Sequence, residues 1–138
     1  MKRNFVIATH GTFATGIYES LKIIVGEQEN VHLLNAFVDS NDIEGPINEI
    51  LAKIPQEEEL IVCTDVFGGS VNNAWMKRLD RENLYLITGT NLPLLMQLFL
   101  APEGDTEAMI RAIVASPDTA PSFCNDLINN SNEEEEEF

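Results

Sequence analysis

Short apolar runs alternate along this chain with longer segments whose apolar residues fall three and four positions apart, a rhythm that predicts strands alternating with helices. The first strand is expected at Phe5 to Thr9, followed by a helix in which Ile17, Leu21, Ile24 and Val25 recur until Gly26 stops it. Val31 to Phe37 reads as the second strand. A turn at Asp39-Ser40-Asn41-Asp42 then opens a helix with Ile43, Ile47, Ile50, Leu51 and Ile54 on one face, ended by Pro55. Beyond the acidic turn at Glu57 to Glu59, Leu60 to Asp65 is the third strand. Ser70 is placed to cap a helix running to about Leu79, with Val71, Ala74 and Trp75 turned inward. Leu84 to Thr88 is the fourth strand, and Gly89-Thr90-Asn91 leads into a helix with Pro93 in its first turn, where a missing N–H costs little. A last helix is expected from Thr106 to Ala115, before Pro117 and Pro121 interrupt the pattern. The fold class this order predicts is α/β, a three-layer, doubly wound and mostly parallel sheet with helices on both faces. Residues 1–128 are expected to form one domain, and the Asn- and Glu-rich residues 129–138 an acidic disordered tail or linker.

Composition narrows the range of partners. The 138 residues are 44% hydrophobic, enough for a single core. The formal net charge is -15, of which Glu133 to Glu137 supply five negative charges, so the rest of the chain is itself acidic. Nucleic acid and anionic membrane surfaces are poor partners for such a protein. Cys63 and Cys124 are too far apart in sequence and too few to suggest a disulfide framework or a metal site, and a reducing cytoplasm is the expected setting. Met1-Lys2-Arg3 begins like a signal peptide, but the apolar stretch after it ends at Ala8, too short for export. Leu92 to Ala101 is only about half of a membrane span of ~20 residues, so no transmembrane helix is expected.

The chemistry concentrates at strand ends. Parallel strands joined by helical crossovers bring their carboxyl ends to one edge, where ligands bind in such folds. His10, Asp65 and Asn91 all follow strands, and a flavodoxin-like strand order would set His10 and Asp65 on either side of one crevice. An imidazole is a good nucleophile toward phosphorus if the attacking nitrogen is bare and aimed, and a carboxylate on the other nitrogen does both. Asp65 is placed for that role. Gly68 and Gly69 lead into a helix start whose backbone N–H groups, with the Ser70 hydroxyl, can receive phosphoryl oxygens, and Thr9 is a further donor.

Each of these residues also has a plainer reading: a strand-end histidine as a loop residue, an aspartate as a turn cap, a Gly-Gly pair as a turn. Their convergence favours chemistry. His32, inside a strand with no carboxylate or glycine turn beside it, is assigned no role, and Trp75, Phe99 and the Leu92 to Leu100 stripe read as core or subunit contact. Two other function classes are open. Ser70, His10 and Asp65 nominally compose a hydrolase triad, but no Gly-x-Ser-x-Gly elbow is present. A receiver-like domain phosphorylated on Asp65 would need an acidic pair beside the first strand for its metal, and the sequence offers none there. Neither phosphate-binding fingerprint of nucleotide sites occurs, and neither cofactor nor metal is expected.

Thr9-His10-Gly11, Asp65-Val66-Phe67-Gly68-Gly69-Ser70 and Gly89-Thr90-Asn91-Leu92-Pro93 together resemble the mannose/fructose-family enzyme IIA domain of the bacterial sugar phosphotransferase system, in order and spacing over roughly residues 3–116. The resemblance implies that His10 takes a phosphoryl group from the phosphohistidine of the carrier HPr and passes it to a histidine of a cognate enzyme IIB, serving the membrane components IIC and IID indirectly. It further implies that Asp65 orients His10, that Gly68, Gly69 and Ser70 contact the phosphoryl group, and that the protein is a homodimer, often with an exchanged C-terminal strand. Val66 stands where the family often has a hydroxyl and Val71 where it usually has proline, and the C-terminal part beyond about Pro117 departs from the family pattern.

Overall fold

In β1, Arg3–His10, every residue from Asn4 to Thr9 is buried, which is why the strand reads as a nearly unbroken apolar run: a strand covered on both faces has no solvent side to mark with polar residues. The computed structural model describes residues 1–128; the segment 129–138, expected as an acidic tail or linker, lies outside the described residues. β1 begins earlier than its apolar run because Arg3 and Asn4 are held by other polar groups. The Arg3 guanidinium donates to Thr106 Oγ1 at 2.9 Å and to the carbonyl of Pro102 at 2.9 Å, and Asn4 Nδ2 donates to the Glu59 carbonyl at 3.1 Å.

The chain continues as α1 (Phe13–Val25), β2 (Val31–Ala36), α2 (Glu44–Lys53), β3 (Glu59–Thr64), α3 (Ser70–Met76), β4 (Leu84–Ile87), α4 (Leu92–Leu100) and α5 (Thr106–Ala115), with a 3-10 turn at Pro117–Thr119. Among the described residues the sheet has four strands, all parallel, in the order β2-β1-β3-β4. This is the expected flavodoxin-like order, with β1 and β3 adjacent.

Side-chain alternation along the strands divides the core into two layers. Val6 and Ala8 of β1 and Leu60 and Val62 of β3 pack with Ile47, Ile50, Val71 and Trp75 of α2 and α3. Phe5, Ile7, Ile61 and Cys63 face the other way, onto Ile17 and Leu21 of α1, Leu95 and Leu98 of α4 and Ile113 of α5. At about 25 cal/mol per Å² of buried apolar surface, these two layers are the main stabilising term of the fold. No helix among the described residues is long and apolar enough to cross a membrane.

Boundaries moved where backbone geometry overrides apolar pattern. β2 stops at Ala36 because Phe37 adopts φ +65°, outside the extended region. Ser70 is the first helical residue of α3 rather than its cap; Gly69, extended at φ -76°, holds the cap position and no side chain caps that helix. The helix also ends at Met76, short of Leu79. By contrast α4 starts as its sequence suggests: Asn91 Oδ1 accepts from Leu94 N–H at 2.9 Å, and Pro93 lies in the first turn.

Candidate functional site

His10 is the last residue of β1 and Asp65 the first after β3, and because these strands are neighbours the two side chains meet at the carboxyl edge. Asp65 Oδ2 accepts the backbone N–H of His10 at 2.9 Å and lies 2.9 Å from its ring Nδ1, while Oδ1 accepts Val66 N–H at 3.0 Å. An ionised carboxylate can only accept, so Nδ1 carries the proton and the neutral imidazole keeps its lone pair on Nε2. Burial pushes the Asp65 carboxyl up, but the His10 backbone N–H, the His10 ring and the Val66 N–H outweigh it, and the group is held below the usual carboxylate range. The imidazole itself is accessible, with 40% of its side-chain surface exposed.

The β3–α3 loop closes over one edge of the ring. Gly68 has φ +77°, a left-handed conformation that glycine adopts without penalty, and it turns the chain so that Gly69 lies against the imidazole. A Cβ on Gly69 would stand 3.1 Å from His10 Cε1 and 3.7 Å from Nε2, so the Cε1–Nε2 edge of the ring lies against Gly69, the cap residue of α3. There the first helical N–H groups lack intrahelical partners, and Ser70 is exposed. On another side the Phe37 ring lies 5.5 Å from the imidazole, centroid to centroid, tilted by 31°.

Of the residues singled out from sequence, the structure brings together His10, Asp65 and Gly69, with Gly68 and Ser70 on either side of Gly69 in the same loop. Thr9 does not join them. It points from β1 toward α1, is fully buried, and its hydroxyl oxygen accepts Ala14 N–H at 2.8 Å, because adjacent residues of a strand face opposite sides. Asn91 is at the same edge but is occupied in capping α4 and in donating to the Thr119 carbonyl. His32 lies on β2 opposite Val6, toward the other end of the sheet from His10, with burial and then the charge of Lys53 holding its pKa below the usual value. Cys63 is buried in β3 with its thiol pushed up to about 12, which leaves it no thiolate for chemistry.

Sequence reasoning missed the frame under the site. The Thr64 hydroxyl donates to Asn72 Oδ1 at 2.7 Å, and the Thr64 carbonyl accepts both the hydroxyl of Thr90 at 2.7 Å and its N–H at 3.1 Å. All three residues are buried. Thr64, immediately before Asp65, is thereby tied to α3 and to the loop after β4. Polar residues in a helix and a loop carry no period that would reveal such a network. Phe37 was legible only as the end of an apolar run. Among the described residues, no group of three or more His, Cys, Asp and Glu side chains could hold a metal ion.

Comparison with known proteins places the chain. A family model described as "PTS system fructose IIA component" matches residues 4–115. The chain is 34% identical over 104 residues to the PTS system mannose-specific EIIAB component of Escherichia coli K12, covering 72% of this chain but only 32% of that protein's length. It is 28% identical over 96 residues to the PTS system fructose-specific EIIA component of Bacillus subtilis, covering 67% of this chain and 66% of that one. Among solved structures, a putative phosphoenolpyruvate-dependent sugar phosphotransferase system permease from Klebsiella pneumoniae matches with TM-score 0.87 and 38% identity, over 93% of this chain and 95% of that chain. The PTS IIA protein associated with the fucose utilization operon of Streptococcus pneumoniae matches with TM-score 0.76 and 26% identity, over 92% and 97% of the two chains. The matched region takes in both strands that build the crevice, the β3–α3 loop and the frame beneath it, and the chain belongs to the PTS system fructose IIA component family.

Proposed function

We propose that this chain is a phosphocarrier of the sugar phosphotransferase system, with His10 as the residue phosphorylated. One observation carries the reading: Asp65 occupies Nδ1 at 2.9 Å, so the unprotonated Nε2 is the nitrogen left facing the Gly69–Ser70 turn. In the first transfer the Nε2 lone pair forms a bond to the phosphorus of phospho-HPr as the P–N bond to the HPr histidine breaks, its electron pair returning to that ring. In the second, a histidine of enzyme IIB attacks the phosphoryl group on His10 and the bond to Nε2 breaks in the same way. Asp65 keeps the Nδ1 proton in place and stabilises the ring as positive charge develops on it. Gly68, Gly69 and Ser70 receive the phosphoryl oxygens through backbone N–H groups and the hydroxyl. Thr9, buried and already bonded to Ala14, supports α1 instead of meeting the phosphoryl group.

In this reading the domain is residues 1–128, acting in the cytoplasm as a homodimer and reaching the membrane components IIC and IID only through IIB. The acidic residues 129–138 take no part in transfer.

Incubation with enzyme I, HPr and phosphoenolpyruvate, followed by mapping of the labelled residue, tests the reading. Label on His10, stable in alkali and labile in mild acid, supports it; label on Asp65 or Ser70, or undiminished labelling of a folded His10→Ala protein, overturns it.

A further inference from the structure

Phe37 combines two features that packing alone does not explain. Its backbone has φ +65°, a conformation costly for a bulky side chain and ordinarily left to glycine or asparagine. The residue is 41% exposed and joins neither layer of the core, so burial of the phenyl group offsets that strain only in part. What the conformation does achieve is placement. Ala36 is paired in register with His10 and accepts the Gly11 N–H at 2.8 Å, fixing the chain just before Phe37. The left-handed turn then carries the phenyl ring to 5.5 Å from the imidazole, within the range of favourable tilted aromatic pairs.

A single bond from Asp65 to Nδ1 fixes one point of the imidazole and leaves the ring able to pivot about it. Gly69 closes one side of that arc. We infer that Phe37 is a positioning residue that closes the other, holding His10 in the rotamer that aims Nε2 at the incoming phosphorus. Strained backbone kept beside reacting atoms is where such a function is expected. The inference rests on the phosphocarrier reading for its kinetic consequence but not for the restraint itself.

Phe37→Gly removes the ring and at the same time relieves the left-handed strain, so stability and activity should move apart. The midpoint of urea unfolding stays level or rises, while kcat for phosphoryl transfer from phospho-HPr falls about three- to ten-fold, the worth of one aromatic contact. KM is little changed. In the unphosphorylated protein, NMR couplings reporting the His10 χ1 angle show one rotamer for the wild type and an average for Phe37→Gly. Phe37→Tyr restores both readouts and Phe37→Leu does not, a contrast made at equal backbone strain that serves even if the glycine variant folds poorly. An unchanged kcat with an unchanged rotamer overturns the inference, and so does a rise in KM alone, which would make Phe37 a docking residue. Failure of the phosphocarrier reading would appear separately, as a wild-type protein not labelled at His10, and the NMR comparison would still decide the restraint.

Discussion

Replacing Gly69 by alanine sets a stabilising backbone effect against a local steric one, and the structure decides where each is felt. Gly69 is extended, φ -76° and ψ 163°, so alanine fits the backbone without strain. By restricting the unfolded chain it should stabilise the fold by about 0.4–1 kcal/mol. The new methyl group, however, would stand 3.1 Å from Val66 Cγ2 and 3.1 Å from His10 Cε1, and each contact needs a few tenths of an ångström of relief. Val66 is half exposed and can swing into solvent. His10 can yield only by pivoting about its 2.9 Å bond to Asp65, which swings Nε2 off its line, or by stretching that bond toward the outer limit of hydrogen bonding. The expected result is a protein of wild-type stability to within about 1 kcal/mol whose phosphorylation by phospho-HPr is slowed about ten-fold or more. Gly68→Ala is the matched control. At φ +77° its Cβ meets nothing within 4 Å, so it should cost about 1–2 kcal/mol in urea unfolding and slow labelling less than Gly69→Ala does. Time courses of labelling beside urea titrations read both quantities. Wild-type labelling kinetics in Gly69→Ala would refute the steric argument.

Other perturbations separate aiming from architecture. Asp65→Ala should leave the protein folded and slow transfer roughly ten- to a hundred-fold, by loss of ring orientation and polarisation, whereas His10→Ala should abolish labelling; equal residual rates in the two folded variants would contradict the division of roles. Because the folded state holds the Asp65 carboxyl below its usual range, its contribution to stability is fully present above the ordinary carboxylate pKa of about 3.9 and is lost as pH falls through the lower folded value. The stability gap between wild type and Asp65→Asn, measured by urea titration at stepped pH, should therefore narrow in acid below about pH 4, and a gap that widened there would reverse the sign. Asn72→Ala removes the acceptor of the buried Thr64 hydroxyl and should cost about 1–3 kcal/mol. A denaturation midpoint equal to wild type would mean that the weaker approach of Thr64 to the Ile87 carbonyl at 3.5 Å suffices.

How much of this could be read from the residues depended on whether a period carried the information. Val6 and Ala8 on one face of β1 and Phe5 and Ile7 on the other leave a continuous apolar run, and the parallel sheet followed from such runs and the helices between them, while the adjacency of β1 and β3 entered as the flavodoxin-like order of that fold class. The meeting of His10 with Asp65 followed in turn from strand order. What could not be read lies where a single dihedral or a buried polar pair decides. Phe37 looked like one more strand residue until its φ was known. Ser70 has the composition of a cap, but Gly69 takes that position, because cap identity turns on backbone angles that Ser and Gly both satisfy. Thr9 has a suitable hydroxyl at a suitable address, yet strand alternation sends it to the far side of the sheet.

The central place of β1 in the sheet has a consequence for how the protein is made. Its two neighbours come later in the chain: β2 begins at Val31, but the partner that brings the aspartate ends only at Thr64. At a translation rate of about 5–20 residues per second, the ribosome needs roughly three to ten seconds after completing β1 to complete β3. For that interval a strand that the finished fold covers on both faces is present on the nascent chain without its second neighbour, in need of shelter from other nascent chains or of a chaperone. The histidine is synthesised 55 residues ahead of the aspartate, and it acquires its carboxylate only when β3 pairs with β1.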